Sequence, residues 1–327
     1  MLDTGTGQSA LNVRIYSDGH SKDHKQSLVS WVVAITTLFI YCGWMHILFG
    51  LMIGSLFSRV CLYIYLGLLA TLALPAKPVL WTAFCQSWVF QTWREYFNYS
   101  YLNESVLDLK KRYIFVEFPH GVFPISELIA GTQCQAIWPD FPIFSVAASS
   151  VFSIPFWRHF IAWIGSVPAT RQNFKRILQK GSVAVIVGGI AEMYMQHPRK
   201  ERIKLRSRKG FVRIAVEEGL NGGLIPVYHF GNTQIFDFAP QSMAGISRKY
   251  QVSLGFLVGR WGLPVPRKQP LYMVSGAPIP VPKVAKDSPE FEATVDKVHD
   301  QVVNALQDLY DRHKASYGWQ DRPLEIE

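Results

Sequence analysis

Residues 28–56 contain only one side chain that carries charge near neutral pH, His46, and this run limits the fold more than any other feature. About 20 apolar residues suffice to cross a bilayer, so the run is long enough to span one. Ser58-Arg59 interrupt it, and residues 60–74 form a second apolar run that ends at Pro75, Lys77 and Pro78. The second run is short for a full crossing. The two together predict a membrane-embedded hairpin of two helices over 28–75 that returns the chain to its starting side. A single span, with the rest of the chain on the opposite face, is the alternative. Residues 1–27 are polar and charge-balanced, with Arg14, Lys22 and Lys25 against Asp3, Asp18 and Asp23, and read as a flexible cytosolic tail. The apolar run starts too far in and runs too long for a cleaved signal peptide. Hydrophobic residues make up 49% of the 327, and most of the excess lies in 28–90.

Residues 76–112 are crowded with aromatics, among them Trp81, Trp88, Trp93, Tyr96, Tyr99 and Tyr101, together with Phe90 and Phe97. Beside a membrane anchor, that density predicts a helix lying at the headgroup level; an aromatic core helix is the structural alternative. Cys42, Cys61, Cys85 and Cys134 show neither metal-ligand spacing nor a paired framework, so reduced thiols are expected. Asn98-Tyr99-Ser100 and Asn103-Glu104-Ser105 fit the glycosylation pattern, and a cytosolic body would leave both unmodified.

From 113 onward, apolar β-branched runs alternate with helical patterns. Strands are predicted at 113–118, 183–187, 224–230 and 271–275. Helices are predicted at 169–180, at 208–218 ending on Gly219, and from Ser288-Pro289 onward, with Phe291, Val295, Val298, Val302, Leu306 and Leu309 on one face. Residues 231–270 carry no clear assignment. The alternation implies an α/β layer fold.

Three clusters sit at element boundaries. Phe118-Pro119-His120-Gly121 follows a strand: Pro119 ends the ladder, Gly121 permits a sharp turn, and His120 is left at the strand's carboxyl end, where open α/β sheets present chemistry. Gly188-Gly189-Ile190-Ala191-Glu192 follows another strand, and Arg208-Lys209-Gly210-Phe211 opens a helix. Each alone has a bland reading: a core histidine, a turn with a surface carboxylate, a solvated face. The formal charge is +9, and between Arg199 and Arg213 eight cations face only Glu201. Such a patch attracts phosphates or acidic headgroups. With no zinc-finger, RNA-recognition or basic-zipper pattern beside it, nucleic acid is not the expected partner.

Tyr113-Ile114-Phe115-Val116-Glu117-Phe118-Pro119-His120-Gly121 resembles the His-Pro-His-Gly block of the type-2 diacylglycerol acyltransferase family. Trp93-Arg94-Glu95-Tyr96-Phe97 resembles that family's approach to the block, and Val187-Gly188-Gly189-Ile190-Ala191-Glu192 its Gly-Gly-x-x-Glu block. Arg208 to Ala215, Pro226 to Gly231 and Pro323-Leu324-Glu325-Ile326 resemble later blocks, in order. The resemblance implies a glycerolipid-acyltransferase-like mixed sheet flanked by helices over 113–327, with the N-terminal membrane hairpin attached. It also implies an endoplasmic-reticulum enzyme, facing the cytosol, that esterifies diacylglycerol with acyl-CoA and needs no metal or cofactor. Lipid droplets and assemblies of like chains are compatible with it. His120 is expected as general base and Glu192 as the carboxylate that orients its imidazole. Pro119, Gly121, Gly188, Gly189, Arg171, Arg208, Lys209, Gly210 and Phe211 are expected to bind substrate, with Arg208, Lys209 and Arg171 on the coenzyme A phosphates.

The chain departs from the pattern in two places. Phe118 stands where the family's first histidine is commonest. Ile125 occupies the position of the aspartate that broader glycerolipid acyltransferases keep, and Glu127 lies two residues beyond it. Monoacylglycerol, a long-chain alcohol or a lysophospholipid are alternative acceptors, and a non-catalytic lipid-droplet protein is the alternative of another class.

Overall fold

The computed structural model describes residues 12–138, 140–240, 242, 246 and 255–327. Its strands are β1 (Ile15–Tyr16), β2 (Ser100–Asn103), β3 (Tyr113–Phe118), β4 (Ile143–Ala147), β5 (Ser166–Pro168), β6 (Ser182–Ile186), β7 (Glu201–Ile203), β8 (Gly223–Phe230), β9 (Asp237–Ala239), β10 (Phe256–Val258), β11 (Tyr272–Ser275) and β12 (Leu324–Ile326). Its helices are α1 (Leu28–Cys42), α2 (Trp44–Gly54), α3 (Arg59–Ala70), α4 (Thr82–Cys85), α5 (Trp88–Tyr96), α6 (Ile125–Ile137), α7 (Trp157–Trp163), α8 (Arg171–Leu178), α9 (Gly210–Glu218) and, last in the chain, α10 (Phe291–Tyr317).

Eight strands form one mixed sheet in the order β1-β2-β11-β8-β3-β6-β4-β5. The run from β8 to β5 is parallel, β11 is antiparallel to β8, and β1 closes the far edge antiparallel to β2. β3 lies in the middle with every residue buried. Its alternation divides the core: Ile114, Val116 and Phe118 pack with α8, α9 and α10, whereas Tyr113 and Phe115 pack with α1, α5 and α6. Helices therefore cover both faces of a mixed sheet, as the α/β expectation required.

The four predicted strands are β3, β6, β8 and β11. The last helix buries the predicted stripe, but it starts at Phe291; Ser288-Pro289 lie in the preceding turn, with Ser288 Oγ accepting from the Glu290 N–H at 3.4 Å. Gly219 ends α9 in the left-handed conformation that its position suggested.

The N-terminal half differs more. Residues 12–27 are docked, unlike the predicted tail, whose residues 1–11 lie outside the described residues. β1 pairs with β2, Asp18 receives two hydrogen bonds from Arg94 at 2.7 and 2.8 Å, and the Arg14 guanidinium sits 4.0 Å over the Tyr272 ring. The long apolar run is not one helix: α1 and α2 meet at 69° at Gly43, where a Cβ would lie 2.6 Å from the Phe39 carbonyl oxygen. Among the described residues no single helix is long and apolar enough to cross a membrane. α1 packs on α5 through Ala34, Leu38 and Tyr41, while α2 packs on α3, which buries no residue. α5 is a core helix rather than an interfacial one, with Phe90, Trp93 and Tyr96 at most 2% exposed; Trp81 and Trp88 remain about half exposed. Burial against α1 and the sheet satisfies those rings without lipid.

Candidate active site

β3 delivers its carboxyl end into a crossing of three loops. The Phe118–Pro119 peptide is cis, and Gly121 turns at φ +57°. A Cβ at Gly121 would press on Asn232, 3.2 Å from Nδ2, so glycine is required both for the turn and for the approach of the next loop. The Asn232 amide donates to the Pro119 and His120 carbonyls at 3.1 Å each, and its oxygen accepts from the Ser126 N–H at 3.1 Å. One side chain thus holds both ends of the turn to the start of α6.

His120 is half-buried, and its Nδ1 lies 2.9 Å from the Gly121 carbonyl. A carbonyl only accepts, so Nδ1 carries the hydrogen and Nε2 keeps its lone pair. Burial pushes the His120 pKa below its ordinary value, offset in part by the Gly121 bond, so the ring is neutral near pH 7. A neutral imidazole with one nitrogen anchored is the form a general base requires.

Glu192 sits on a 3₁₀ turn (Gly189–Tyr194) after β6 and is 2% exposed. Its Oε2 accepts from the His120 backbone N–H at 2.6 Å and its Oε1 from the Lys204 backbone N–H at 2.7 Å. Both bonds go to the main chain. The expectation that Glu192 orients the imidazole is therefore corrected: Glu192 fixes the backbone of the histidine block, and the Gly121 carbonyl orients the ring. Burial raises the Glu192 pKa to about 7, against the two backbone donors and the Arg208 charge, which pull it down. Gly188 makes the arrangement possible, because a Cβ there would lie 1.8 Å from the Glu192 carboxyl carbon.

The basic run is less exposed as charge than its sequence implies. Lys200 pairs with Glu325 at 2.6 Å, Arg202 with Glu327, Lys209 with Asp296 at 2.7 Å, and Arg213 with Glu292. Glu201, the one acid in the run, is buried and is engaged by Arg322 at 2.7 Å. Arg208 is exposed and has no ion-pair or hydrogen-bond partner among the described residues for its guanidinium; it is the cation of the run that acts on Glu192. Arg171 pairs with Glu217 on α9. Gly189 (φ +60°) and Gly210 have open space where a Cβ would stand, and Pro119 is buried under the turn. Phe211 departs from its expected substrate contact: it is 5% exposed within the core beneath α10, where α9 turns that face inward.

Asn232 and His229 escaped the sequence reading. His229 is fully buried on β8, with Nδ1 2.9 Å from Ser126 Oγ, and burial lowers its pKa to about 3. The available signal was their place at the end of a predicted strand, beside Gly231. A candidate metal-ligand grouping also meets outside the expected site residues: His20, His24 and Glu95 bring ligand atoms within 4.8 Å of one another, and His20 already pairs with Glu95 at 3.3 Å. Between the sheet and α6 lies a cavity of about 120 Å³ whose walls include Glu117, Glu127, Leu128 and Cys134.

Comparison with known proteins identifies similar chains. Diacylglycerol O-acyltransferase 2-like protein 6 of Bos taurus is 31% identical over 72% of this chain and 77% of its own length. Diacylglycerol O-acyltransferase 2 of Homo sapiens is 27% identical over 96% of this chain and 87% of its own. The human acyl-CoA wax alcohol acyltransferase 2 is 29% identical over 73% and 77%. Among solved structures, the 1-acyl-sn-glycerophosphate acyltransferase PlsC of Thermotoga maritima aligns over 86% of this chain and 97% of its own, at 12% identity and a TM-score of 0.41. The diacylglycerol acyltransferase family model matches residues 49–327, nearly everything after the first helix, and the chain belongs to that family of acyltransferases.

Proposed function

We propose that this chain transfers a fatty acyl group from acyl-CoA to the hydroxyl of 1,2-diacylglycerol, forming triacylglycerol, with His120 as general base. The observation that carries the reading is the neutral, half-buried His120 whose Nδ1–H is tied to Gly121 and whose Nε2 is left to accept a proton. His120 Nε2 takes the proton of the acceptor hydroxyl as its oxygen attacks the thioester carbonyl. The tetrahedral intermediate collapses with loss of the coenzyme A thiolate, and the proton on Nε2 passes to that sulfur. The oxyanion requires a donor, and the Gly121 N–H, which has no acceptor among the described residues, supplies one. Arg208, the unpaired cation beside Glu192, meets a coenzyme A phosphate. Similarity to a wax alcohol acyltransferase supports a second acceptor class, long-chain alcohols.

The reading includes a membrane. Leu28, Leu56, Phe57, Val60 and Tyr63 are each 66% or more exposed, and they line α1, α3 and the turn between α2 and α3. Exposed apolar side chains of that size and number favour lipid over water. Helices of 11 and 12 residues reach only about 17–18 Å, roughly half of a hydrocarbon core near 30 Å. The α2–α3 pair therefore dips into one leaflet of the endoplasmic-reticulum membrane, with the catalytic body on the cytosolic side, and the same anchor suits a droplet surface. Burial of Asn103 at 2% exposure leaves no room for a glycan there.

The test is acyl transfer by the purified full chain in detergent micelles, with labelled acyl-CoA and a panel of diacylglycerol, monoacylglycerol, long-chain alcohol and lysophospholipid. His120→Ala is expected to lower the rate about 10²–10⁴-fold. Full transfer by that variant overturns the scheme.

A further inference from the structure

The cavity between the sheet and α6 is walled mainly by apolar side chains, yet two carboxyls face it from opposite sides. Glu117 projects from β3, three residues before His120, and shares the sheet face of Phe115. Glu127 projects from α6, one turn before Gly131, where the helix wall has open space in place of a side chain. Glu117 is 8% exposed and Glu127 is 5% exposed. Among the described residues neither oxygen of Glu127 has a hydrogen-bond partner, and the carboxyl of Glu117 has none. The Tyr99 hydroxyl, on a residue 1% exposed, is likewise unpartnered among the described residues and lies near enough to feel both acids. Tyr41 of α1 and Ile161 of α7 line the same cavity, so it reaches from β3, the strand that ends at the histidine block, to the apolar N-terminal helices.

An alkyl chain requires none of these groups. Unpaired polar atoms buried in an apolar wall are costly, and native proteins keep them where a ligand or an ordered partner completes them. Burial raises both acids above the ordinary carboxylate range, Glu117 to about 8, so that it is mainly protonated at neutral pH; Glu127 is raised by burial first and then by its proximity to Glu117. A neutral carboxyl both donates and accepts, so it matches a hydroxyl or an ester carbonyl and repels neither. A fatty carboxylate or a phosphate, by contrast, gains no counter-charge here.

We propose that Glu117 and Glu127 form a hydrogen-bonding station inside this cavity that binds an uncharged oxygen function of a lipid substrate, a hydroxyl or an ester carbonyl flanked by alkyl chain. It rests on the acyltransferase reading and assigns the chain a selectivity that the histidine block does not carry. The oxygen comes either from the ester groups of the acceptor glyceride or from an oxygenated acyl chain on the donor.

The experiment compares wild type, Glu127→Leu, Glu127→Gln and Glu117→Leu as full chains in micelles. Donors are oleoyl-CoA and 12-hydroxyoleoyl-CoA; acceptors are dioleoylglycerol and hexadecanol. Glu127→Leu removes a buried unpaired acid and is expected to raise Tm while lowering kcat/KM for one oxygen-bearing substrate at least tenfold relative to its plain counterpart. A fall in the dioleoylglycerol-to-hexadecanol ratio assigns the station to the acceptor; a fall in the 12-hydroxyoleoyl-to-oleoyl ratio assigns it to the donor. Glu117→Leu moves the same ratio, and Glu127→Gln, which still donates and accepts, holds it within about threefold. Both ratios staying within twofold in both leucine variants overturns the proposal. The stabilisation of each variant by dioleoylglycerol or 12-hydroxyoleate is measured alongside. An inactive wild type therefore counts against the acyltransferase reading alone, whereas equal ligand stabilisation of wild type and Glu127→Leu counts against the station.

Discussion

Replacing Gly188 with alanine sets a methyl group where the Glu192 carboxyl now lies. The new Cβ would stand 1.8 Å from its carbon and 2.1 and 2.2 Å from its oxygens, so the carboxyl must leave. Its departure removes the acceptor from two backbone N–H groups, those of His120 and Lys204. A buried donor left without its acceptor costs about 1–3 kcal/mol, so the pair represents about 2–6 kcal/mol. For a domain of this size that is a Tm lower by roughly 4–20 °C. Displacing the His120 main chain by about 1 Å also costs on the order of 10²-fold in turnover. Thermal unfolding in detergent and labelled acyl-CoA turnover measure the two effects. The double variant Gly188→Ala/Glu192→Ala supplies the control, since without the carboxyl there is nothing to collide with. It should be no worse than Glu192→Ala alone, a coupling of several kcal/mol. The reasoning is refuted if Gly188→Ala keeps wild-type Tm and kcat, or if it is as damaging in the Glu192→Ala background as in wild type.

Other expectations follow from the same geometry. Glu192 has a folded pKa of about 7, above its ordinary 4.5, so its contribution to stability is fully present below about pH 4.5 and is lost as pH rises through 7. Denaturant unfolding should show wild type losing up to about 3 kcal/mol over that window relative to Glu192→Gln, which has no proton to release. Arg208→Gln should raise KM for acyl-CoA several-fold and flatten its salt dependence. Lys209→Gln, whose ammonium is already held by Asp296, should do less. Asp18→Ala leaves the Arg94 guanidinium, 6% exposed, without its carboxylate and should cost about 2–3 kcal/mol, read as a lower Tm.

What the sequence disclosed was local. β3, β6, β8 and β11 are continuous β-branched or aromatic runs, and α10 repeats its apolar residues at helical spacing, so both follow from neighbours in the chain. Gly188-Gly189-Ile190-Ala191-Glu192 was legible as a site element for the same reason. What remained hidden depends on partners far apart. Asp18 meets Arg94 across 76 positions, and the cations of 199–213 meet acids near the chain's end; a local charge sum therefore overstated their patch. β4 and β5, of five and three residues, are too short to show a period. The 69° bend at Gly43 leaves no trace in composition, because the residues on both sides are equally apolar. Glu192 was recognisable as a carboxylate near the histidine, but its choice of main chain over ring is a matter of a few ångströms that spacing does not encode.

The bend at Gly43 and the brevity of α2 and α3 bear on where such a chain can reside. A protein whose anchor crosses a bilayer leaves polar residues on the far side, and moving it to a surface bounded by a single phospholipid layer would drag those residues into oil. An anchor that enters and leaves by the same leaflet has no far side. Under the membrane reading proposed above, α2 and α3 present Leu56 and Phe57 to acyl tails at their turn, and the Arg59 side chain at the start of α3 extends toward the headgroups, whether a second leaflet or neutral lipid lies beneath. The chain can then follow a lipid product from the sheet of membrane where it is made to the body in which it collects, without refolding.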